Sequence, residues 1–176
     1  MQLFMDGLIL AVMSAAVWMD FDSYRISNFL LLPAAVVGIG LNTYESGFWG
    51  AKDSLAGCFL PFALLLPLYG LSMLGAGDIK LIMAAGAFTG FKGSIFSLIT
   101  AFFIGAVISL TLMIKHRNFL PRLKNFFHYI CQVKSKHFLG PYYDLKSPEK
   151  GETVHFSLCI ALGVCIYFLI GRTPVN

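Results

Sequence analysis

Two carboxylates stand at the ends of apolar runs. Asp20 closes the run 3–19, and Asp78 follows Gly75-Ala76-Gly77 and opens the run 79–90. An ionisable group beside hydrocarbon is costly and usually marks a functional position. The glycines before Asp78 remove side-chain bulk, so another helix or a substrate backbone can come close. Two acids brought together with access to water can hydrolyse a peptide bond with no metal and no organic cofactor. One, ionised, takes a proton from water as it attacks the carbonyl. The other, protonated, donates to the developing oxyanion and then to the leaving amine. Like charges a few ångströms apart do not both stay ionised cheaply, so such a pair is expected to share a proton.

Each acid also has a plain structural reading. Asp78 suits the N-cap of the helix that follows it, and Asp20 suits an interface where headgroups solvate it. The two acids on one expected membrane face, with G-x-G ahead of one, favour the pair over these separate readings. Asp22 is a rival at the first position. On a helix Asp20 and Asp22 point to nearly opposite sides, so only one of them faces Asp78, and the residues alone leave the choice open.

The elements that must position these acids follow from composition. Of 176 residues, 57% are hydrophobic and 12% charged, with mean hydropathy +0.76. Soluble domains carry about twice that charged fraction. The expectation is an all-α, polytopic membrane protein forming a single membrane domain over 1–176. Six apolar segments define its helices, at about 3–19, 28–44, 54–74, 79–90, 93–114 and 153–170. A spanning helix needs about 20 residues. Segment 79–90 is shorter, rising only about 18 Å, which suits a helix starting at the floor of a wet cleft.

Charge sets the expected orientation. With the N-terminus outside, the inner connections hold Arg25, Lys80 and eight Lys or Arg residues of the loop 115–152, against Lys52, Lys92 and Arg172 outside. That asymmetry follows the positive-inside rule and places Asp20 and Asp78 at the cytoplasmic face. It also explains the net charge of +4 without nucleic acid. In the loop, Phe119, Leu123, Phe126, Phe127, Ile130 and Val133 recur at helical spacing, with Lys124 and Lys134 between them. This pattern suits a basic amphipathic helix on the inner leaflet. The first segment lacks a basic stretch ahead of it and reads as a retained helix rather than a signal peptide.

The remaining reactive residues carry weaker signals. Cys58, Cys131, Cys159 and Cys165 form no C-x-x-C pair, which argues against a zinc knuckle or redox dithiol. His116, His128 and His137 have no metal-ligand spacing. His155, at the start of the sixth segment, reads as an interface histidine that can approach the cleft. No G-x-S-x-G, H-E-x-x-H or P-loop is present.

Two stretches resemble the signatures of the type IV prepilin peptidases. The first, Asp20-Phe-Asp-Ser-Tyr-Arg-Ile26-Ser-Asn28, has an aspartate followed six residues later by Ile and eight later by Asn. The second, Gly75-Ala-Gly-Asp-Ile-Lys-Leu81, matches G-x-G-D-x-K-L. The resemblance covers roughly 7–114 and implies a membrane-embedded GxGD aspartyl protease core with no cofactor. It implies that Asp20, rather than Asp22, and Asp78 are the catalytic aspartates. Gly75 and Gly77 would shape the backbone beside them, and Ile26, Asn28 and Lys80 occupy motif positions. Lys80 could hold one acid ionised, but two residues from Asp78 it leans away, which favours snorkelling to the interface.

Ser27 stands where the family commonly has Pro, and Ser retains the ability to start a helix. The larger family members' domain with paired C-x-x-C motifs has no counterpart in this sequence. The chain is therefore similar to the short peptidases of Flp/Tad pilus systems, which implies cleavage without N-methyl transfer. The implied substrate is a prepilin or pseudopilin, a leader joined to an apolar helix. It would be cut at the cytoplasmic face of a bacterial inner membrane, with the lipid bilayer as the other partner. Two further readings compete with it. One is a small transporter or proton-coupled protein using Asp20 and Asp78 as relay acids, for which midplane acids and inverted repeats are expected. The other is a membrane scaffold without chemistry.

Overall fold

A computed structural model describes residues 2–23, 26–71, 74–115 and 155–171. Among these residues every element is helical and there is no strand. The order is α1 (Gln2–Ser23), α2 (Asn28–Gly70), α3 (Ala76–Lys115) and α4 (Phe156–Ile166), which runs on into a π-helical turn at Tyr167–Gly171. The stretches Leu3–Ser23, Asn28–Gly70 and Ala76–Leu112 are each long and apolar enough to cross a membrane. The amphipathic segment expected in the loop 115–152 lies outside the described residues, apart from Lys115 at the end of α3.

Helix α1 turns one stripe to the protein. Met5, Ile9, Met13 and Ala16 are all buried at steps of four, four and three, the spacing of one helical face. Asp20, four residues beyond Ala16, continues that stripe. Leu3, Phe4, Trp18 and Phe21 are exposed on the other sides. They are the apolar surface expected of a helix whose solvent is lipid.

Helices α2 and α3 are each folded back on themselves, which the sequence segments 28–44, 54–74, 79–90 and 93–114 express as separate runs. In α2 the break is Gly47, at φ 60° and ψ −141°. Asn42 and Ser54, before and after it, both bond the carbonyl of Ala87, at 3.0 and 2.9 Å. A straight helix would part them by about 18 Å. In α3 the break is Gly90, at φ 71° and ψ −171°. Asp78 and Gly105, far apart in sequence on either side, line the same cleft. The third expected segment also ends early: α2 stops at Gly70, with Leu71 capping it through Pro67 O.

The first arm of α3 is the centre of the molecule. Ile79, Leu81, Ile82, Ala84, Ala85, Ala87 and Phe88 are all buried, and a helix apolar all round is stable only when surrounded. Its small residues let neighbours close in. A Cβ on Gly86 would collide with the Gly57 carbonyl of α2, and one on Gly57 would meet Gly86 O. The second arm of α3 carries a similar stripe toward α4, where a Cβ on Gly163 would lie 2.7 Å from Ser97 O.

Ending a helix in apolar surroundings strands its last carbonyls. Here side chains from the other arms supply the donors. Asn42 Nδ2 donates to Ala87 O and to Phe88 O at 3.1 Å, and Ser54 Oγ donates to Ala87 O. A second orphan arises at Pro61, which has no N–H for the carbonyl of Gly57 four residues earlier. Ser94 Oγ donates to Gly57 O at 2.8 Å instead. After the Gly90 reversal, the Phe91 N–H donates to Asp53 Oδ1 at 3.3 Å, so a carboxylate caps the returning arm.

Gly90→Ala is expected to cost about 1–3 kcal/mol, because the conformation favours glycine and a Cβ there would run into the Asp53 carboxylate. Gly40→Ala is the control, since a Cβ at Gly40 meets nothing within 4 Å. Thermal unfolding in detergent should show a lowered midpoint for the first and an unchanged or slightly raised one for the second.

Candidate active site

Asp78 lies in the first turn of α3. The helix begins at Ala76, with Gly75 as its cap, and Ile79 N–H bonds Gly75 O at 3.4 Å. Asp78 is therefore the third helical residue and not the N-cap, the plain structural reading raised by the sequence. Its carboxylate reaches back over Gly75, whose backbone N–H donates to it. This is the reciprocal half of a capping box. A Cβ on Gly75 would sit 3.2 Å from Asp78 Oδ2, so glycine keeps that space open.

Asp20, at the far end of the buried stripe of α1, is close enough to Asp78 for the two carboxylates to interact electrostatically. Its own partners come from the first turn of α4. Ser157 Oγ donates to Asp20 Oδ2 at 2.5 Å, and His155 Nδ1 lies 3.2 Å from the same oxygen. The His155 ring stacks on Phe21 at 4.2 Å between centroids, with the planes 28° apart. The histidine that the sequence allowed to approach the cleft thus makes a direct contact with an acid. Ser157 carried no signal in the sequence beyond lying two residues from a histidine at a helix start.

The two sequence signatures interlock. A Cβ on Gly77 would lie 3.5 Å from Ile26 Cβ, so Ile26 packs flat on the glycine. Lys80 Nζ donates to Asn28 Oδ1 at 2.9 Å. The lysine is therefore engaged with the other signature, rather than snorkelling alone or pairing with an acid. Ser27 caps α2, its hydroxyl accepting from Phe29 N–H at 3.2 Å, and so fills the position where proline was expected.

Asp22 is exposed and lines a different groove of about 660 Å³ between α1 and α4, beside Trp18, Leu158 and Cys165. Periodicity accounts for this: Asp22 lies half a turn round the helix from Met13, which is buried. The cleft that holds Asp78 measures about 410 Å³ and is walled by Leu68, Leu74, Phe102, Gly105, Ser109 and Phe156. It is large enough for an extended piece of peptide backbone. Among the described residues, no group of three or more His, Cys, Asp or Glu side chains is placed to hold a metal ion. His116, His128, His137, Cys131, Arg25 and Arg172 lie outside the described residues.

Comparison with known proteins agrees with the two signatures. The model of the type IV leader peptidase family matches residues 7–110. Searches of curated proteins and of solved structures each found no match.

The contact between the two signatures is directly testable. The 3.5 Å separation of Ile26 Cβ from a Cβ on Gly77 is within the range a disulfide needs. The double variant Ile26→Cys/Gly77→Cys, with the four native cysteines replaced by alanine, is expected to form that crosslink under mild oxidation. Mass spectrometry of digested protein should find the linked peptides, and each single variant should yield none.

Proposed function

Because the chain belongs to the type IV leader peptidase family, we propose that it is an integral-membrane aspartic endopeptidase that removes the leader of a type IV prepilin or pseudopilin. Asp20 and Asp78 are its catalytic pair. The observation that supports this reading is that Asp20 and Asp78, on separate helices and far apart in sequence, lie near enough to interact electrostatically, with Asp78 lining a cleft of about 410 Å³. One acid, ionised, deprotonates the attacking water. The other, protonated, donates to the carbonyl oxygen as it becomes an oxyanion and then to the departing amine. In an apolar bundle the interaction between the two is stronger than in water, and this favours a single shared proton.

The arms of α2 and α3, together with α1 and α4, make six apolar helices around this GxGD core, forming one membrane domain over 1–176. Gly75 and Gly77 leave room for the Asp78 carboxylate and for Ile26. Asn28 and Lys80 tie the start of α2 to the start of α3. The excess of Lys and Arg in the connections around both acids supports a cytoplasmic active site in a bacterial inner membrane, with the N-terminus outside. The substrate's apolar helix would lie in the bilayer and present its leader junction at that interface. The reaction proposed is leader cleavage alone, as the likeness to the short members of the family implies.

Co-expression with candidate prepilins, followed by the shift from precursor to mature form, tests this. Asp20→Asn and Asp78→Asn are each expected to lower cleavage by about 10²–10⁴-fold while the protein still accumulates in membranes. Asp22→Asn should cleave as the parent does. Full cleavage by either of the first two variants removes the aspartate pair from the mechanism.

A further inference from the structure

We propose that His155 and Ser157 are positioning residues for Asp20: the first turn of α4 fixes the rotamer of that carboxylate. The proposal rests on the aspartate-pair reading above and adds to it the element that holds one acid in place.

Three observations carry it. Both contacts converge on one oxygen, Oδ2, from side chains two residues apart. With the ring proton on Nδ1, the histidine and the serine are both donors, and two donors on one oxygen fix the carboxylate's rotation. Second, the histidine side chain does not cap its own helix. His155 is the N-cap of α4, yet its side chain makes no capping bond, and histidine is not among the residues favoured at that position. Its ring turns out to Asp20 and is clamped there by Phe21. Third, the turn serves both acids at once. Phe156, between the two, packs on Phe102 at 5.3 Å and walls the Asp78 cleft. A hydroxyl buried as completely as that of Ser157 needs a partner, and here that partner is Asp20.

A rotamer fixed this way matters because misplacing a reacting group by about 1 Å can cost about 10²-fold in rate. The chemistry of Asp20 is unchanged by loss of a donor, but its aim is not. The loss therefore appears in kcat, with little change in the binding of a substrate held mostly through its apolar helix.

The test uses the full chain in detergent or membrane vesicles with a prepilin that it cleaves. Ser157→Ala removes one donor at near-constant volume. His155→Phe keeps an aromatic ring on Phe21 and removes the nitrogens. Each is expected to lower kcat about 10-fold, and the pair about 100-fold, with KM within about twofold of the parent. Ser157→Thr and His155→Gln, which restore a donor, should recover most of the loss. Thermal midpoints within a few degrees of the parent separate aim from folding. Single and double variants with the parent's kcat, alongside an inactive Asp20→Asn, overturn this proposal and leave the aspartate pair standing. A rise in KM at constant kcat also overturns it. If Asp20→Asn itself still cleaves, the pair falls, and this proposal with it.

Discussion

A helix that ends inside an apolar bundle must find donors for its last carbonyls, and most of this structure can be traced to how that is done for the first arm of α3. The arm is short, buried on every side and flanked by reversals. Its C-terminal carbonyls are met by Asn42 and Ser54, from the two arms of α2. That requirement draws both arms of α2 onto the same point and makes the turn at Gly47 obligatory. It brings Gly57 against Gly86. The same pairing of a stranded carbonyl with a borrowed hydroxyl recurs at Pro61, where Ser94 serves Gly57 O. Each unmade bond of this kind would cost roughly 1–3 kcal/mol, so these few polar side chains specify the arrangement that non-directional apolar packing would leave loose.

The other end of the arm is where chemistry gathers. The cap at Gly75 is bare backbone, and the Asp78 carboxylate folds back on it. The start of α2 lies alongside, with Ile26 on Gly77 and Asn28 on Lys80. The end of α1 brings Asp20, and the start of α4 brings His155 and Ser157. Four helix termini thus meet at one place. Helix termini are where backbone groups lack internal partners, so a bundle tolerates polar and charged side chains there more readily than at mid-helix.

Membership of the leader peptidase family and the geometry bear on different matters. The family match covers 7–110 and so takes in most of α1, all of α2 and most of α3. It does not reach α4. The contacts of His155 and Ser157 with Asp20 come from beyond the matched region, as does Phe156 on the wall of the Asp78 cleft. The two signatures contain Asp20 and Asp78, while the side chains that contact Asp20 come from the helix outside the match.

Much of the fold was written in residue order. Apolar runs broken by Gly, Pro and charge marked where helices begin and turn, because a helix in lipid has to satisfy its backbone locally and the sequence must say where it stops. The stripe Met5, Ile9, Met13, Ala16 and Asp20 is a matter of spacing, and spacing alone put Asp20 in and Asp22 out once the buried side was known. Other features needed the tertiary structure. Whether Asp78 caps α3 or stands within it depends on where the chain enters the helix, which Ile26 packing on Gly77 helps to set. The partner of Lys80 is 52 residues away, and those of Asp20 are 135 and 137 away. No local pattern encodes contacts of that separation. They arise because packing carries distant helix ends to one junction, and only there do a histidine and a serine of ordinary local character find an acid to hold.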